Sequence, residues 1–230
     1  MILYVNGDSH TAGAEAINPH AFAEDDPLYH ALGKVPHPDN EKVSYGCLLA
    51  NALFAILHCD AESGSSNDRI IRTTREYLNT ETPDAVVIGW STWEREEFLI
   101  DDYYYQFSAG RRISDWPEHV EQEYKSWVID ANPIVKAKEQ HDKIHAFHME
   151  LVNQNIPHLF FNSFHSFNHT VITPVDWSNN YIDPYNDLGT YYHWLKDHGY
   201  NTVNPHSYHF GADAHHAWAE FLLPHLTNLI

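Results

Sequence analysis

Met1-Ile2-Leu3-Tyr4-Val5-Asn6-Gly7-Asp8-Ser9-His10 is the stretch on which the reading of this chain turns. Its first five residues form an apolar run rich in aliphatic and β-branched side chains, the pattern of a strand buried on both faces. Asn6-Gly7-Asp8-Ser9 stops that run, because these residue types tolerate tight turns and positive φ. The turn presents Ser9 at the carboxyl end of the strand, the edge where ligands collect in open α/β sheets. A serine so placed can act as a nucleophile, with its own N–H free to stabilise an oxyanion. The plainer reading is a strand-ending turn without chemistry.

Further along, the same grammar returns. Residues 56–61 read as a short strand that ends in Glu62-Ser63-Gly64-Ser65-Ser66-Asn67-Asp68. A helix is predicted over 67–78, with Ile70, Ile71, Thr74 and Leu78 on one face. Residues 84–90 form a doubly buried parallel strand that ends in Ser91-Thr92-Trp93-Glu94-Arg95. Strand, turn and helix in repetition predict an α/β fold with a doubly wound parallel sheet, and 230 residues suit one domain over 1–230.

Between these elements lie longer excursions. Residues 14–41 are polar and rich in Pro, His and Asp, and read as a surface loop beside the Ser9 turn. A largely buried helix is expected over 43–57, capped by Ser44. The acidic run Glu94-Arg95-Glu96-Glu97 reads as a solvated helix start from which Arg95 can point back to the site. Residues 97–131, with Tyr103-Tyr104-Tyr105, Arg111-Arg112 and Trp116-Pro117, read as an irregular aromatic lid or wall. A helix over 133–155, a strand over 158–162, a second aromatic insertion over 163–190 and a short helix over 191–197 follow. The last element is a helix over 211–229 with Ala214, Ala217, Trp218, Phe221, Leu222 and Leu226 as its apolar stripe.

Composition narrows the function. Thirteen Lys and Arg against 32 Asp and Glu give a formal net charge of −19, which argues against nucleic acid and anionic membrane surfaces. No run approaches a membrane span. The first strand begins at residue 2, so no room for a leader is expected and the cytoplasm is the expected location. Two cysteines in apolar contexts, Cys47 and Cys59, make no disulfide framework. Fourteen Tyr, 11 Phe and 7 Trp are enough both to fill a core and to line a pocket for a sugar or acyl chain. Among 19 histidines, His141, His145 and His148 share a helix face at a spacing that suits a metal, with Glu139 or Asp142 nearby. Ile134, Ile144 and Leu151 run along much the same face, so packing at the core edge is the favoured reading and neither metal nor cofactor is expected. His165 and His169 make a similar, weaker pair.

Four short blocks, in order, resemble the SGNH (GDSL-type) hydrolases, esterases and lipases with a flavodoxin-like three-layer α/β/α fold. They are Gly7-Asp8-Ser9, Ser63-Gly64, the segment after Val86-Val87-Ile88, and His209 before the last helix. Gly-Asp-Ser-His-Thr and Trp-Glu-Arg look most like phage-associated members, which adds a virion assembly, or a homo-oligomer, to the possible partners. The resemblance implies Ser9 as nucleophile, the Gly64 N–H in the oxyanion hole and His209 as general base. Where the family usually reads Gly-x-Asn-Asp, the alignment on Val86-Val87-Ile88 puts Trp93 at the asparagine, and Ser91, Thr92 or Asn67 are the available replacement donors. At the last block the family reads Asp-x-x-His; here His206 holds the carboxylate position ahead of His209. A second parse, Asp213-Ala214-His215-His216, is disfavoured because His216 lies on the Glu220/Leu223/Thr227 side and His215 packs with Trp218 and Leu222.

The implied chemistry is acyl transfer by a Ser9–His209 pair. Asp213 is the nearest carboxylate in sequence to hold the imidazole, and a main-chain carbonyl is the alternative. Asp8 shapes the turn, and Asp8, His10, Trp93 and Arg95 are candidates to touch the substrate. Two classes of function follow: a serine esterase on a small acyl or acetyl ester, possibly of a carbohydrate, or a binding or structural module on the same fold.

Overall fold

Strand β1 (Ile2–Gly7) lies inside a four-stranded sheet in the computed structural model of the protein, which describes residues 1–18, 36–109 and 115–230. Strands β2 (Ile56–Cys59), β3 (Ala85–Trp90) and, after two insertions, β6 (His158–Asn162) complete the sheet in the order β2-β1-β3-β6, all parallel. Leu3 pairs with Leu57, Val5 with Val87, and Ile88 with Phe160. The middle strands β1 and β3 and the neighbouring β6 are buried nearly throughout, as their unbroken apolar runs require. The β2 edge alternates between exposed and half-buried.

The period-2 alternation of side chains builds two cores. Leu3, Val5, Val87, Leu159 and Phe161 point to one face and pack under α2 (Tyr45–Ala52), α6 (Tyr191–Asp197) and α7 (Ala212–Thr227), including Tyr45, Leu195, Trp218 and Leu222. Tyr4, Val86, Ile88 and Phe160 point to the other, under α3 (Asn67–Leu78) and α5 (Pro133–Asn153), including Ile70, Ile144, Phe147 and Leu151. Each fully buried aliphatic or aromatic side chain contributes roughly 1.5–3 kcal/mol, so the two faces fix the three layers. A short helix α1 (Pro38–Glu41) precedes α2.

The structure departs from expectation in three places. Helix α2 ends at Ala52 because Phe54 takes φ +52 and turns the chain into β2. The segment over 97–131 is not irregular among its described residues. Strands β4 (Arg95–Ile100) and β5 (Tyr103–Ser108) form an antiparallel hairpin, and α4 (Glu118–Ile129) follows. Asp101 and Asp102 both have positive φ, the demand of a two-residue hairpin turn whose twist matches the strands. The acidic run is therefore the start of a strand and not a solvated helix start. Glu96 is buried against Lys136 Nζ (2.7 Å) and Trp127 Nε1, and Glu97 holds Arg72 at 2.7 and 2.8 Å. Phe107, Val120 and Tyr124 seal a third small core beneath the hairpin. Arg111, Arg112 and most of the 14–41 excursion lie outside the described residues.

The histidine face of α5 packs under the 163–190 insertion. His141 Nε2 meets the Tyr185 hydroxyl at 3.0 Å, His148 Nδ1 meets His158 Nε2 at 2.8 Å, and Trp177 covers all three rings of the face at 5.2–5.6 Å. Among the described residues no group of three or more His, Cys, Asp and Glu is arranged to hold a metal, and no helix is long and apolar enough to cross a membrane. Cys47 and Cys59 are separate, half-buried thiols, and burial pushes the Cys59 thiol up to about 12.

Candidate active site

The carboxyl end of β1 winds directly into successive turns. Ala12 N donates to Asp8 O at 2.9 Å, Ala14 N to Ser9 O at 3.0 Å and Ala16 N to Gly13 O at 3.0 Å. This coil is possible because Thr11 folds back over the strand ends. A Cβ at Gly7 would stand 1.9 Å from Thr11 Oγ1, and one at Gly89, the register partner of Gly7, would stand 2.8 Å from the same atom. Thr11 Oγ1 in turn accepts from the Tyr45 hydroxyl at 2.6 Å.

The coil delivers Ser9, His10 and Glu15 to one place. Ser9 and His10 line an open cavity of about 710 Å³ with Asp8, Ser63, Gly64, Thr92, Glu94, Arg95, Phe164, His165, Tyr208 and His209. The ends of β1, β2, β3 and β6 and the loop before α7 therefore meet at one rim of the sheet, as the switch-point rule for open α/β sheets requires. Among the described residues the Ser9 hydroxyl makes no hydrogen bond, and neither the Ser9 nor the Gly64 N–H has an acceptor. Gly64 has φ +80, a conformation a side chain would strain, and its N–H stays available at the cavity wall.

His209 is held from behind by a carboxylate absent from the sequence reading. Its Nδ1 lies 2.6 Å from Glu15 Oε2, and Ser207 Oγ donates to the same oxygen and accepts from His209 N at 3.0 Å. Burial alone would raise the Glu15 carboxyl, but the hydrogen bonds from Ser207 and His209 outweigh it and hold the group below the usual range. Glu15 itself sits at φ +63, an uncommon conformation for a non-glycine residue and one kept here by its partners. With Nδ1 bound to Glu15, Nε2 is left as the nitrogen available to Ser9 and to a substrate. Asp213, expected at this position, is exposed at the start of α7, where its Oδ1 accepts from Ala214 N at 2.9 Å, and it makes no hydrogen bond to His209, whose Nδ1 is taken by Glu15.

The remaining candidates divide sharply. Asp8 is buried with its carboxylate fully occupied: Oδ1 accepts from His10 N at 3.0 Å, and Oδ2 accepts from Ser91 Oγ at 3.0 Å and from Arg95 Nη1 at 3.3 Å. It shapes the turn and anchors Arg95, which lines the cavity. Ser91 and Asn67 are turned to each other and not into the cavity. Ser91 N donates to Asn67 Oδ1 at 2.8 Å and Asn67 Nδ2 to Ser91 O at 3.2 Å, so both act as scaffold and the oxyanion role expected of them is not available. Trp93 is also buried away from the cavity; it backs His165 at 5.0 Å and Phe167 at 5.9 Å. Thr92 does line the cavity, and its Oγ1 accepts from Glu94 N at 3.2 Å, which leaves its O–H free to donate inward. His215 is a core histidine: Tyr45 N donates to its Nδ1 at 3.3 Å, and burial pulls its pKa down to about 3. Phe164 and Tyr208 meet edge to face at 5.4 Å and form an aromatic wall that the sequence did not mark.

A carbohydrate esterase family 2 enzyme with a carbohydrate-binding domain from Corynascus thermopiles (Myceliophthora fergusii) superposes with TM-score 0.50 at 17% identity, over 99% of this chain and 66% of that one. The acetyl xylan esterase Est2A from Butyrivibrio proteoclasticus (TM-score 0.42, 16% identity, 99% and 63% of the two chains) is also similar. So is a protein assigned to the G-D-S-L lipolytic family from Desulfitobacterium hafniense (0.45, 12%, 97% and 98%). The fold is that of the SGNH (GDSL-type) hydrolases. The chain thus spans about two thirds of the length of the two carbohydrate esterases. No family model and no curated protein matches the sequence. β3 ends at Trp90, and of Ser91, Thr92 and Trp93 after it only Thr92 lines the cavity.

Proposed function

We propose that the chain is a serine esterase with Ser9 as nucleophile, His209 as general base and Glu15 as the carboxylate behind it. The observation that carries this reading is the 2.6 Å Glu15–His209 hydrogen bond at the wall of a cavity shared with an unengaged serine hydroxyl. His209 Nε2 takes the Ser9 proton as Oγ attacks the ester carbonyl. The Ser9 and Gly64 N–H groups stabilise the oxyanion, with the Thr92 hydroxyl as third donor in place of the asparagine. The imidazolium, stabilised by Glu15, returns the proton to the leaving alcohol. Water then repeats the sequence on the acyl-enzyme and releases the acid.

The substrate we propose is a short acyl ester, acetyl foremost, of a carbohydrate. The Phe164–Tyr208 wall offers a ring face to a sugar, and Arg95, Glu94 and Thr92 offer polar groups opposite to its hydroxyls. The esterase with TM-score 0.50 is a carbohydrate esterase, in keeping with that choice. A second reading, a binding module on the same fold, is favoured by Ser91 and Asn67, two of the candidate oxyanion donors, which are engaged with each other and with Asp8. Turnover decides between them. Purified protein should hydrolyse 4-nitrophenyl acetate and an acetylated pentoside, with a rate that falls from acetyl to butyryl and is lost in Ser9→Ala. Sugar binding without hydrolysis of either ester would establish the module.

A further inference from the structure

His10 is spent on a position that no fold requirement explains. The residue is 7% exposed, its ring edge-on to His209 with centroids 5.3 Å apart, and packed on Tyr191 at 5.3 Å. Nδ1 is buried without a hydrogen-bond partner, and of the buried orphan atoms among the described residues it is the one whose residue lines the ester cavity. Such an atom destabilises a fold, and each instance in a native structure calls for a reason. The reason lies at the other nitrogen. Nε2 is accessible and also has no protein partner, so it is the nitrogen at the cavity wall. Between the two neutral tautomers, a buried N–H without an acceptor is the rarer and costlier arrangement, so the proton belongs on Nε2. Burial, partly offset by Asp8 and reinforced by His209 and Arg95, holds the ring's pKa down at about 4, so it stays neutral beside a His209 that becomes charged in each cycle.

We propose that His10 Nε2–H is a fixed hydrogen-bond donor to the alcohol half of the ester, and so a specificity-determining residue; this rests on the esterase reading above. The alcohol half is the part within reach, because the leaving oxygen must come to His209 Nε2 and His10 flanks that ring. The acceptor it suits is an oxygen next to the esterified position, such as a free hydroxyl of a pyranose or furanose ring. A donor already oriented and desolvated loses little on binding, and an alcohol without such an oxygen leaves it unpaired.

The test compares wild type, His10→Phe and His10→Gln on a monoacetylated methyl pentoside, which has hydroxyls beside the ester, and on phenyl acetate, which has none. His10→Phe keeps a ring against Tyr191 and removes both nitrogens. It should lower kcat/KM on the sugar ester about 10- to 100-fold more than on phenyl acetate. His10→Gln, which retains an N–H donor, should recover part of that difference. The thermal midpoint of His10→Phe should rise by about 2–4 °C, as the orphan atom is gone. Equal losses on the two esters, or a lowered midpoint with activity lost on both, would mean a purely structural ring and overturn the proposal. If the wild type hydrolyses neither ester, the esterase reading itself fails, an outcome read without any His10 variant.

Discussion

Three histidines buried in the neutral form make this fold acid-labile, by an amount that can be worked out. Burial holds His10 and His158 down at about 4 and His215 at about 3, against 6.5 for a free imidazole. The unfolded chain therefore takes up three protons below pH 6.5 that the folded chain refuses until about pH 4. Stability is fully present above pH 6.5 and is lost as pH falls toward the folded values. At pH 5.5 each group accounts for about 1 kcal/mol, or several kcal/mol for the three, and the loss steepens below that. Against a total stability of roughly 5–15 kcal/mol, that is a large fraction. The relief of self-repulsion as the net charge of −19 is titrated acts in the opposite sense, but it is spread over the surface and screened by salt. Urea unfolding followed by tryptophan fluorescence at pH 7.5, 6.5 and 5.5 in about 0.15 M salt measures the slope directly. His215→Asn keeps an acceptor for Tyr45 N and removes one titrating group, so it should lower the slope by about a third. Equal midpoints at pH 7.5 and 5.5, or a full slope in His215→Asn, would refute the reasoning.

Other substitutions separate the parts of the site. Glu15→Gln should lower kcat about 10²- to 10⁴-fold with little change in thermal midpoint, because the imidazole loses both its orientation and its counter-charge. Asp213→Asn should leave ester turnover within about twofold, as only the first turn of α7 is touched; a loss as large as that of Glu15→Gln would restore Asp213 as the orienting carboxylate. Gly7→Ala should destabilise by about 3 kcal/mol or more in urea titrations, with part recovered by adding Thr11→Ala, since the new Cβ meets Thr11 Oγ1 at 1.9 Å. Arg95→Ala removes one of three partners from a buried carboxylate and should cost about 1.5–3 kcal/mol, while raising KM for a sugar ester more than it lowers kcat.

Much of this was legible from residue pattern. The continuous apolar runs at β1, β3 and β6 admit only doubly covered strands, and their small polar endings mark the rim where Ser9, Gly64 and His209 gather. What escaped did so for physical reasons. Glu15 is invisible as an orienting group because it reaches His209 only through a coil of turns and a left-handed backbone, neither of which has a periodic signature. The β4–β5 hairpin hid behind charged residues that read as solvated; its Glu96 and Glu97 are paired with Lys136 and Arg72 from other elements, contacts that only the tertiary fold supplies. The one local signal was Asp101-Asp102, a turn dipeptide between two runs of strand-forming residues. Trp93, a candidate to touch the substrate, is buried against His165 and Phe167, because an indole just past a strand end carries no local signal of which way it turns.

The proposed chemistry rests on a serine activated by an imidazole from the far end of the chain. A fluorophosphonate probe, which bonds only to an activated serine, tests this in one experiment when the labelled peptide is mapped by mass spectrometry. Stoichiometric label on Ser9, lost in Ser9→Ala and slowed at least a hundredfold in His209→Ala, is the expected result. A wild-type protein that stays unlabelled, or carries the label on another serine, would contradict it.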